Sequence, residues 1–460
     1  MRKNAQKEFD PQDIAEKKRA MMLTAPVGRL VMKLSAPTVT IMLVSALYNM
    51  ADTYFVGSQG TSATGAVGVS FSLMAVIQAT GFFFGHGCGN FISRALGAKN
   101  TDDALAMAVT GCVTAFIMGG VITLLGTAFL TPMALLLGST ETILPYARDY
   151  MRFILLGAPF MVTSLMLNNL LRYQGSAVFG MIGMVTGAAL NVALDPLLIF
   201  VFRMGVAGAS LATAMSQTAS CLLLFFVASR RGGNLPIVIR KFAPSGRMYF
   251  EMLKGGAPSL LRQGMNSVAM VILNRSARGY SDAVVAAIAI VNRVFLLASS
   301  AIIGFGQSFQ PVCGFNYGAR LYGRVKTAFR FCVVVATAVL TAVAAACMIF
   351  APKIIAIFRP DDAEVIAVGT LALRAHSVTL PLLGWILMTS FLLQTMGKAV
   401  PASILAFARQ GLFLIPFLWL AVPVLGVLGI QISIPVADLL TFALALPLGI
   451  HALKRGLDER

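Results

Sequence analysis

Apolar segments long enough to cross a lipid bilayer recur twelve times along this sequence. Of its 460 residues, 58% are hydrophobic and only 12% are charged, whereas soluble domains carry about 25% charged residues. A spanning helix needs on the order of 20 apolar residues, and helices are expected because each satisfies its own backbone hydrogen bonds in lipid. We predict an all-α membrane protein whose twelve transmembrane helices lie near residues 34–55, 65–92, 104–130, 144–171, 176–202, 206–229, 251–273, 283–312, 325–350, 364–394, 401–422 and 426–452.

The sequence also repeats itself at an offset of about 221 residues. The segment "KLSAP" at 33–37 returns as "KGGAP" at 254–258, and in the fourth span the offset grows by one, where Pro159 matches Pro381. Each half holds six helices, so both halves have the same orientation and form parallel repeats, as in some transporters. Further matched pairs are Phe84 and Phe305, Gly97 and Gly318, Lys99 and Arg320, and Gly205 and Gly426.

The repeat divides the chain into an N-lobe at 31–229 and a C-lobe at 251–453, with a linker at 230–250 and terminal tails at 1–30 and 454–460. Lys and Arg concentrate in the tails, the linker and the loops on the same side, which by the positive-inside rule places both termini in the cytoplasm. The net charge of +18 is therefore attributed to membrane orientation and not to nucleic-acid binding. We expect a monomeric, multi-pass protein of the plasma or inner membrane, without a cleavable signal peptide.

Two carboxylates interrupt the apolar helices of the first half only. Asp52 matches Leu273 of the second half, and Asp195 meets an aliphatic residue there, although Pro196 keeps a counterpart in Pro416. An Asp at the centre of a spanning helix costs about 2.5–3.5 kcal/mol on insertion scales. If the bundle required these acids, the second half would need them too. We interpret them as functional, the alternative being structural hydrogen bonds.

The depth of these residues in their helices predicts that polar groups of the first lobe meet at one level. Asn191 and Asp195 are four residues apart and share a helix face. Pro196 has no N–H, so the carbonyl of Val192 loses its helical partner and the helix is expected to kink. The candidate cation site comprises Asp52, Tyr150, Asn191, Asp195 and Thr213. Oxygen ligands from Asp52, Asn191, Asp195 and Thr213 suit a hard cation such as Na⁺, whereas two close carboxylates suit proton binding, so both ions remain open.

A substrate cleft between the two lobes has weaker candidates, namely Gln263, Asn266 and Asp438. Asp438 is alternatively a partner in a helix–helix hydrogen bond. The glycine-rich segment 81–90 is followed by no Walker lysine, and the three histidines are scattered. We therefore expect neither ATP-driven transport nor enzymatic activity, and no cofactor apart from the coupling ion.

The motifs "LYNMADTYFVG", "RALGAKN", "LNNLLRYQG" and "NVALDPLLIF" resemble those of the multidrug and toxic compound extrusion (MATE) transporters over about residues 30–452. The resemblance is closest to the prokaryotic branch named for a DNA-damage-inducible protein. It implies that Pro37 corresponds to a first-helix proline whose bending accompanies protonation in some proposals. It also implies a cation site at Asp52, Asn191, Asp195 and Thr213, with Tyr150 in the same network. In another branch of the family, carboxylates of the second half also bind a cation. The seventh helix of this sequence has no carboxylate, so a second cation site in the C-lobe is not expected.

The resemblance and the two-lobe repeat lead to one expected function. We expect a secondary-active antiporter that exports organic compounds, mainly cations, in exchange for H⁺ or Na⁺ by alternating access. Its partners would be small-molecule substrates and membrane lipids. The alternative is a flippase for a lipid or lipid-linked oligosaccharide from the same superfamily, and a channel or membrane scaffold is a third class.

Overall fold

The chain is helical throughout the residues that the structure describes, and no β-strand occurs among them. The structure is a computed structural model, and it describes residues 11–57, 59–230, 235, 237, 239–360 and 362–457. The N-lobe follows a short helix α1 (Pro11–Thr24) and consists of α2 (Val27–Gly57), α3 (Thr61–Gly97), α4 (Thr101–Ala128), α5 (Leu130–Leu136), α6 (Leu144–Tyr173), α7 (Ala177–Pro196), a π-helical segment (Leu197–Val201) and α8 (Gly205–Arg230). The C-lobe follows a 3-10 turn (Ile239–Lys241) and consists of α9 (Gly246–Arg278), α10 (Asp282–Gly318), α11 (Tyr322–Phe358), α12 (Ala363–Thr379), α13 (Leu382–Thr395), α14 (Ala399–Phe407), a π-helical segment (Ala408–Leu414), α15 (Ile415–Leu425) and α16 (Val427–Arg455).

All twelve predicted spans coincide with a helix or with consecutive helical segments, so the architecture of two six-helix lobes is confirmed. Within the described residues, ten helices are long and apolar enough to cross a membrane, and α12 with α13, bent by 54° at their junction, makes an eleventh span. The remaining predicted span lies in α9, which is 33 residues long but carries Glu251, Lys254 and Arg262. These charges lie where the two lobes meet, as described below.

Helical structure extends into segments that were predicted to be tail or linker. Helix α1 lies within the predicted tail at 1–30, and α9 begins at Gly246, inside the predicted linker at 230–250. The early start of α9 has a local cause, because the Ser245 hydroxyl accepts a hydrogen bond from the Met248 amide at 3.3 Å and caps the helix.

The backbone carries the same repeat as the sequence. Six of the nine described residues with positive φ occur at matching helix ends of the two halves, although this conformation costs a residue other than glycine roughly 1–2 kcal/mol. Two pairs have the offset of 221, and one has the offset of 222 that the fourth span predicted. The pairs, with φ in degrees, are Lys99 (64) and Arg320 (59), Gly205 (57) and Gly426 (61), and Gly175 (78) and Gly397 (76).

The lobes pack backbone to backbone on the side of the membrane where α3 and α10 end, here called the terminal side because α2 starts there and α16 ends there. A Cβ on Gly97 would overlap the carbonyl oxygen of Phe315, and a Cβ on Gly318 would overlap that of Arg94. Arg94 and Phe315 are themselves 221 positions apart, so the contact repeats about a pseudo-twofold axis. Only glycine allows this approach.

The lobes separate on the opposite side. In α9 the residues from Met252 to Ser259 are mostly buried against the N-lobe, whereas Leu260 is 42% exposed and Val271 is 61% exposed. Helix α10 changes in the same way, because Leu296 is 54% exposed whereas the residues from Ile302 to the end of the helix are mostly buried. A cleft between the lobes therefore opens away from the terminal side.

The glycine contact should be essential for stability. We expect Gly97→Ala and Gly318→Ala each to lower the thermal unfolding midpoint of the purified protein by several degrees, because overpacking costs about 1–3 kcal/mol. Gly120→Ala is the matched control, since its Cβ would meet nothing within 4 Å. Midpoints equal to the control would show that the lobes do not depend on this approach.

Candidate functional site

Three predicted site residues meet between α7 and α8. The Asn191 side-chain amide donates to Asp195 Oδ1 at 3.3 Å and to Thr213 Oγ1 at 3.2 Å. All three are buried, with Asp195 at 0% exposure. A carboxylate, an amide and a hydroxyl thus form a polar cluster inside an apolar lobe, here called the N-lobe cluster.

Close packing of the two helices produces the N-lobe cluster. A Cβ on Gly187 would lie 3.3 Å from the Ser216 carbonyl oxygen, and one on Gly208 would lie 2.8 Å from that of Leu198. Small residues on both sides of Asn191 and Thr213 therefore let α7 and α8 approach until their polar side chains touch.

The helix geometry changes directly after the acid. Helix α7 ends at Pro196, and the chain continues as the π-helical segment Leu197–Val201. Because Pro196 lacks an N–H, the α-helical hydrogen-bond ladder is interrupted there, and π-bulges are wider turns that frequently occur at functional sites. Asp195 therefore lies at the junction between a regular helix and a deformable segment.

The N-lobe cluster has unused acceptor capacity. Asn191 Oδ1 is buried and accepts no hydrogen bond from the part of the chain that is described. Leaving a buried polar atom unsatisfied costs about 1–3 kcal/mol, and an ionised carboxylate in an apolar surrounding is also unfavourable. This donor set is chemically suited to a hard cation or a proton.

Of the other two members of the predicted cation site, only Tyr150 has a side chain among the described residues. Tyr150 in α6 is fully buried, and its hydroxyl lies 3.9 Å from Met74 Sδ of α3. Asp52 lies on α2, but its side chain is outside the described residues. Pro37 lies inside α2 without ending the helix. The roles of these three residues stay predictions.

Asp438 forms a buried contact between helices of the C-lobe. It is 3% exposed, its Oδ1 accepts from Arg409 Nε at 2.6 Å, and its Oδ2 accepts from the Thr379 hydroxyl at 3.3 Å. This is the helix–helix role that the sequence left open for Asp438. Arg409 was missed, although a lone basic residue in one apolar span and a lone acid in another are a signal for pairing.

The other two cleft candidates lie on the part of α9 that faces away from the terminal side. Asn266 is exposed, and its Oδ1 accepts from Gln410 Nε2 at 3.0 Å. Gln263 is half-buried one turn earlier. Both positions are compatible with a cleft, and their contact with a substrate stays a prediction.

Comparison with known proteins agrees with this architecture. The sequence matches the MatE family over residues 37–197 and 258–420, one segment in each lobe. The chain belongs to the MatE family. Its assignment to the branch named for a DNA-damage-inducible protein stays a prediction.

Relatives in this family include transporters. The multidrug export protein MepA of Staphylococcus aureus is 26% identical over 431 residues, which cover 94% of this chain and 95% of that protein. An outward-facing conformation of a multidrug resistance MATE family transporter of the MOP superfamily superposes with a TM-score of 0.90 at 28% identity, covering 96% of this chain and 99% of that one. A MOP superfamily transporter from Pyrococcus furiosus, for which a binding pocket of reverse polarity suggests a different function, has a TM-score of 0.88 at 30% identity, covering 95% and 98%.

The Arg409–Asp438 pair gives a stability prediction. We expect Arg409→Gln to destabilise the protein by about 3 kcal/mol, because it leaves a buried carboxylate without its cation. Adding Asp438→Asn should recover most of this loss. Thermal unfolding of the two single variants and the double variant measures the coupling, with Arg247→Gln at an exposed position as control. Strictly additive shifts would contradict the pairing.

Proposed function

We propose that this protein is a secondary-active multidrug exporter, in which H⁺ or Na⁺ bound in the N-lobe drives the outward transport of organic compounds, mainly cations. The observation that carries the proposal is the buried Asn191–Asp195–Thr213 cluster beside a proline and a π-helical turn. The names of the relatives, multidrug export and multidrug resistance transporters, support the same function. We further propose that it acts as a monomer in the plasma or inner membrane.

Binding of a cation to the N-lobe cluster would change its energetics. A charged Asp195 is unfavourable inside the membrane, and a bound proton or Na⁺ neutralises it. The π-helical segment after Pro196 can convert this local change into a different helix bend. A cation can shift the two-lobe equilibrium only by its differential affinity for the two states, and the coupling to substrate binding is reciprocal.

The contacts on the terminal side would open and close during transport. Arg94 of α3 forms a salt bridge with Glu251 of α9 at 3.1 Å and donates to the Thr395 carbonyl of α13 at 2.7 Å. We propose that the terminal side is cytoplasmic, so these bonds close the cytoplasmic side while the cleft faces outward.

The cation site is tested by transport in proteoliposomes. Under an imposed pH or Na⁺ gradient, we expect Asp195→Asn to reduce the counter-transport of ethidium at least about tenfold, because the variant cannot change its charge at this position. Asp149→Asn, at an exposed carboxylate of α6, is the matched control and should keep the parental rate. Undiminished transport by Asp195→Asn would rule out the assignment, and varying the two gradients separately identifies the ion.

The proposed orientation is tested by thiol labelling in intact cells. The six cysteines, Cys88, Cys112, Cys221, Cys313, Cys332 and Cys347, are all buried, so the background should be low. We expect Asn266→Cys, on the cleft side, to react with a membrane-impermeant maleimide applied outside. Asp102→Cys, exposed on the terminal side, should react only in inverted vesicles. The opposite pattern would reverse the topology and the direction of the cleft.

A further inference from the structure

Two arginines lie where the cleft meets the packed terminal side. Arg172 of α6 is 2% exposed, and Arg262 of α9 is half-buried. Both lie near enough to His86 and Tyr173 to act on them electrostatically. Two cations therefore share one region of the interface between the lobes.

Neither arginine is paired with a carboxylate of the described chain. The ion pairs found there are Arg94–Glu251, Lys254–Glu251 and Arg409–Asp438. Glu251, on the same helix as Arg262, is eleven residues away, which is about 16 Å at 1.5 Å per residue. Its charge is already shared by Arg94 and Lys254.

The two arginines differ in how far their N–H groups are satisfied. Arg172 donates to neutral acceptors, namely the Gln307 carbonyl at 2.5 Å, Gln310 Oε1 at 3.3 Å and Asn169 Oδ1. These contacts join α6 to α10, so Arg172 is held in place at the interface.

Arg262 is much less satisfied. Its Nη2 lies 3.5 Å from the Ser259 hydroxyl, and its guanidinium carbon lies 5.1 Å from the centre of the Phe391 ring. Its Nη1 is buried and donates to none of the described residues. Ser259 is buried at the point where α9 leaves the interface between the lobes. Arg262 lies one turn further along α9, just before the exposed part of the helix that borders the cleft.

One further polar atom near the arginines, His86 Nε2, also lacks a partner within the described ranges, and His86 is 0% exposed. A guanidinium presents a planar set of donors that matches carboxylate and phosphate groups, and charge-assisted bonds of this kind are among the strong ones. An acidic group is the ligand that would satisfy Arg262 and offset both charges.

We propose that Arg262 binds the acidic group of an amphiphilic substrate at the floor of the cleft, and that the nearby positive charge of Arg172 favours this binding. This inference rests on the proposed exporter function and assigns a residue, Arg262, to the acidic group of a substrate. The acidic group has the chemistry of a carboxylate or a phosphate, and it comes either from a transported molecule or from the headgroup of an anionic lipid.

A matched pair of dyes tests this proposal. Rhodamine B carries a carboxylate, and its ethyl ester carries the same cation without the acid. We expect Arg262→Gln in phosphatidylcholine nanodiscs to weaken binding of the acid at least about tenfold relative to the ester, because one charged hydrogen bond is lost. Arg262→Lys should retain part of the preference, and Arg247→Gln should leave it unchanged. Fluorescence anisotropy gives both affinities, and ester binding shows that each variant is folded.

The outcomes separate this inference from the exporter function. An unchanged ratio of acid to ester affinity in Arg262→Gln, or no binding of the acid by the parent protein, overturns the inference. Gradient-driven ester transport that is lost in Asp195→Asn would uphold the exporter in either case. If phosphatidylglycerol in the nanodisc weakens acid binding by the parent but not by Arg262→Gln, the site stands and a lipid headgroup is its occupant.

Discussion

The close approach of α3 and α10 is the contact on which the rest of this structure depends. Gly97 and Gly318 bring two helix ends within backbone distance across a pseudo-twofold axis. Because this contact joins the lobes on one side only, the same helices diverge toward the other side and leave a cleft. The alternating access that we propose would require no new fold, because the contacts that close one side of the membrane would be replaced by contacts that close the other.

Three sets of polar side chains among the described residues have different consequences. The N-lobe holds Asp195 beside a helix break, the C-lobe holds the compensated pair of Arg409 and Asp438, and the lobe interface holds Arg172 and Arg262. The backbones of the two lobes repeat, whereas these side chains do not. The shared backbone accounts for the bundle, and the differences between the halves are where ion and substrate chemistry can be located.

Much of the fold could be predicted from the sequence because its signals are local or periodic. Apolar runs predicted the transmembrane spans, and the repeat at an offset of 221 residues predicted the two lobes. The sequence also predicted the change of offset to 222, which the backbone shows at Gly175 and Gly397. The adjacency of Asn191 and Asp195 followed from helix spacing. The partner of Asp438 and the convergence of the interface arginines depend on contacts between distant segments, which no spacing rule specifies. The charged segment of α9 lies in the interface between the lobes, so its mean hydropathy is too low to identify α9 as a transmembrane helix.

We propose above that a cation bound at Asp195 controls the position of the two lobes. Spin labels at Leu136→Cys and Val424→Cys, exposed in the two lobes on the side of the cleft, report this directly by electron–electron double resonance. We expect the distance distribution of the otherwise unaltered protein to shift when pH or Na⁺ is changed, and the distribution of Asp195→Asn to stay the same. An equal shift in both proteins would contradict the account.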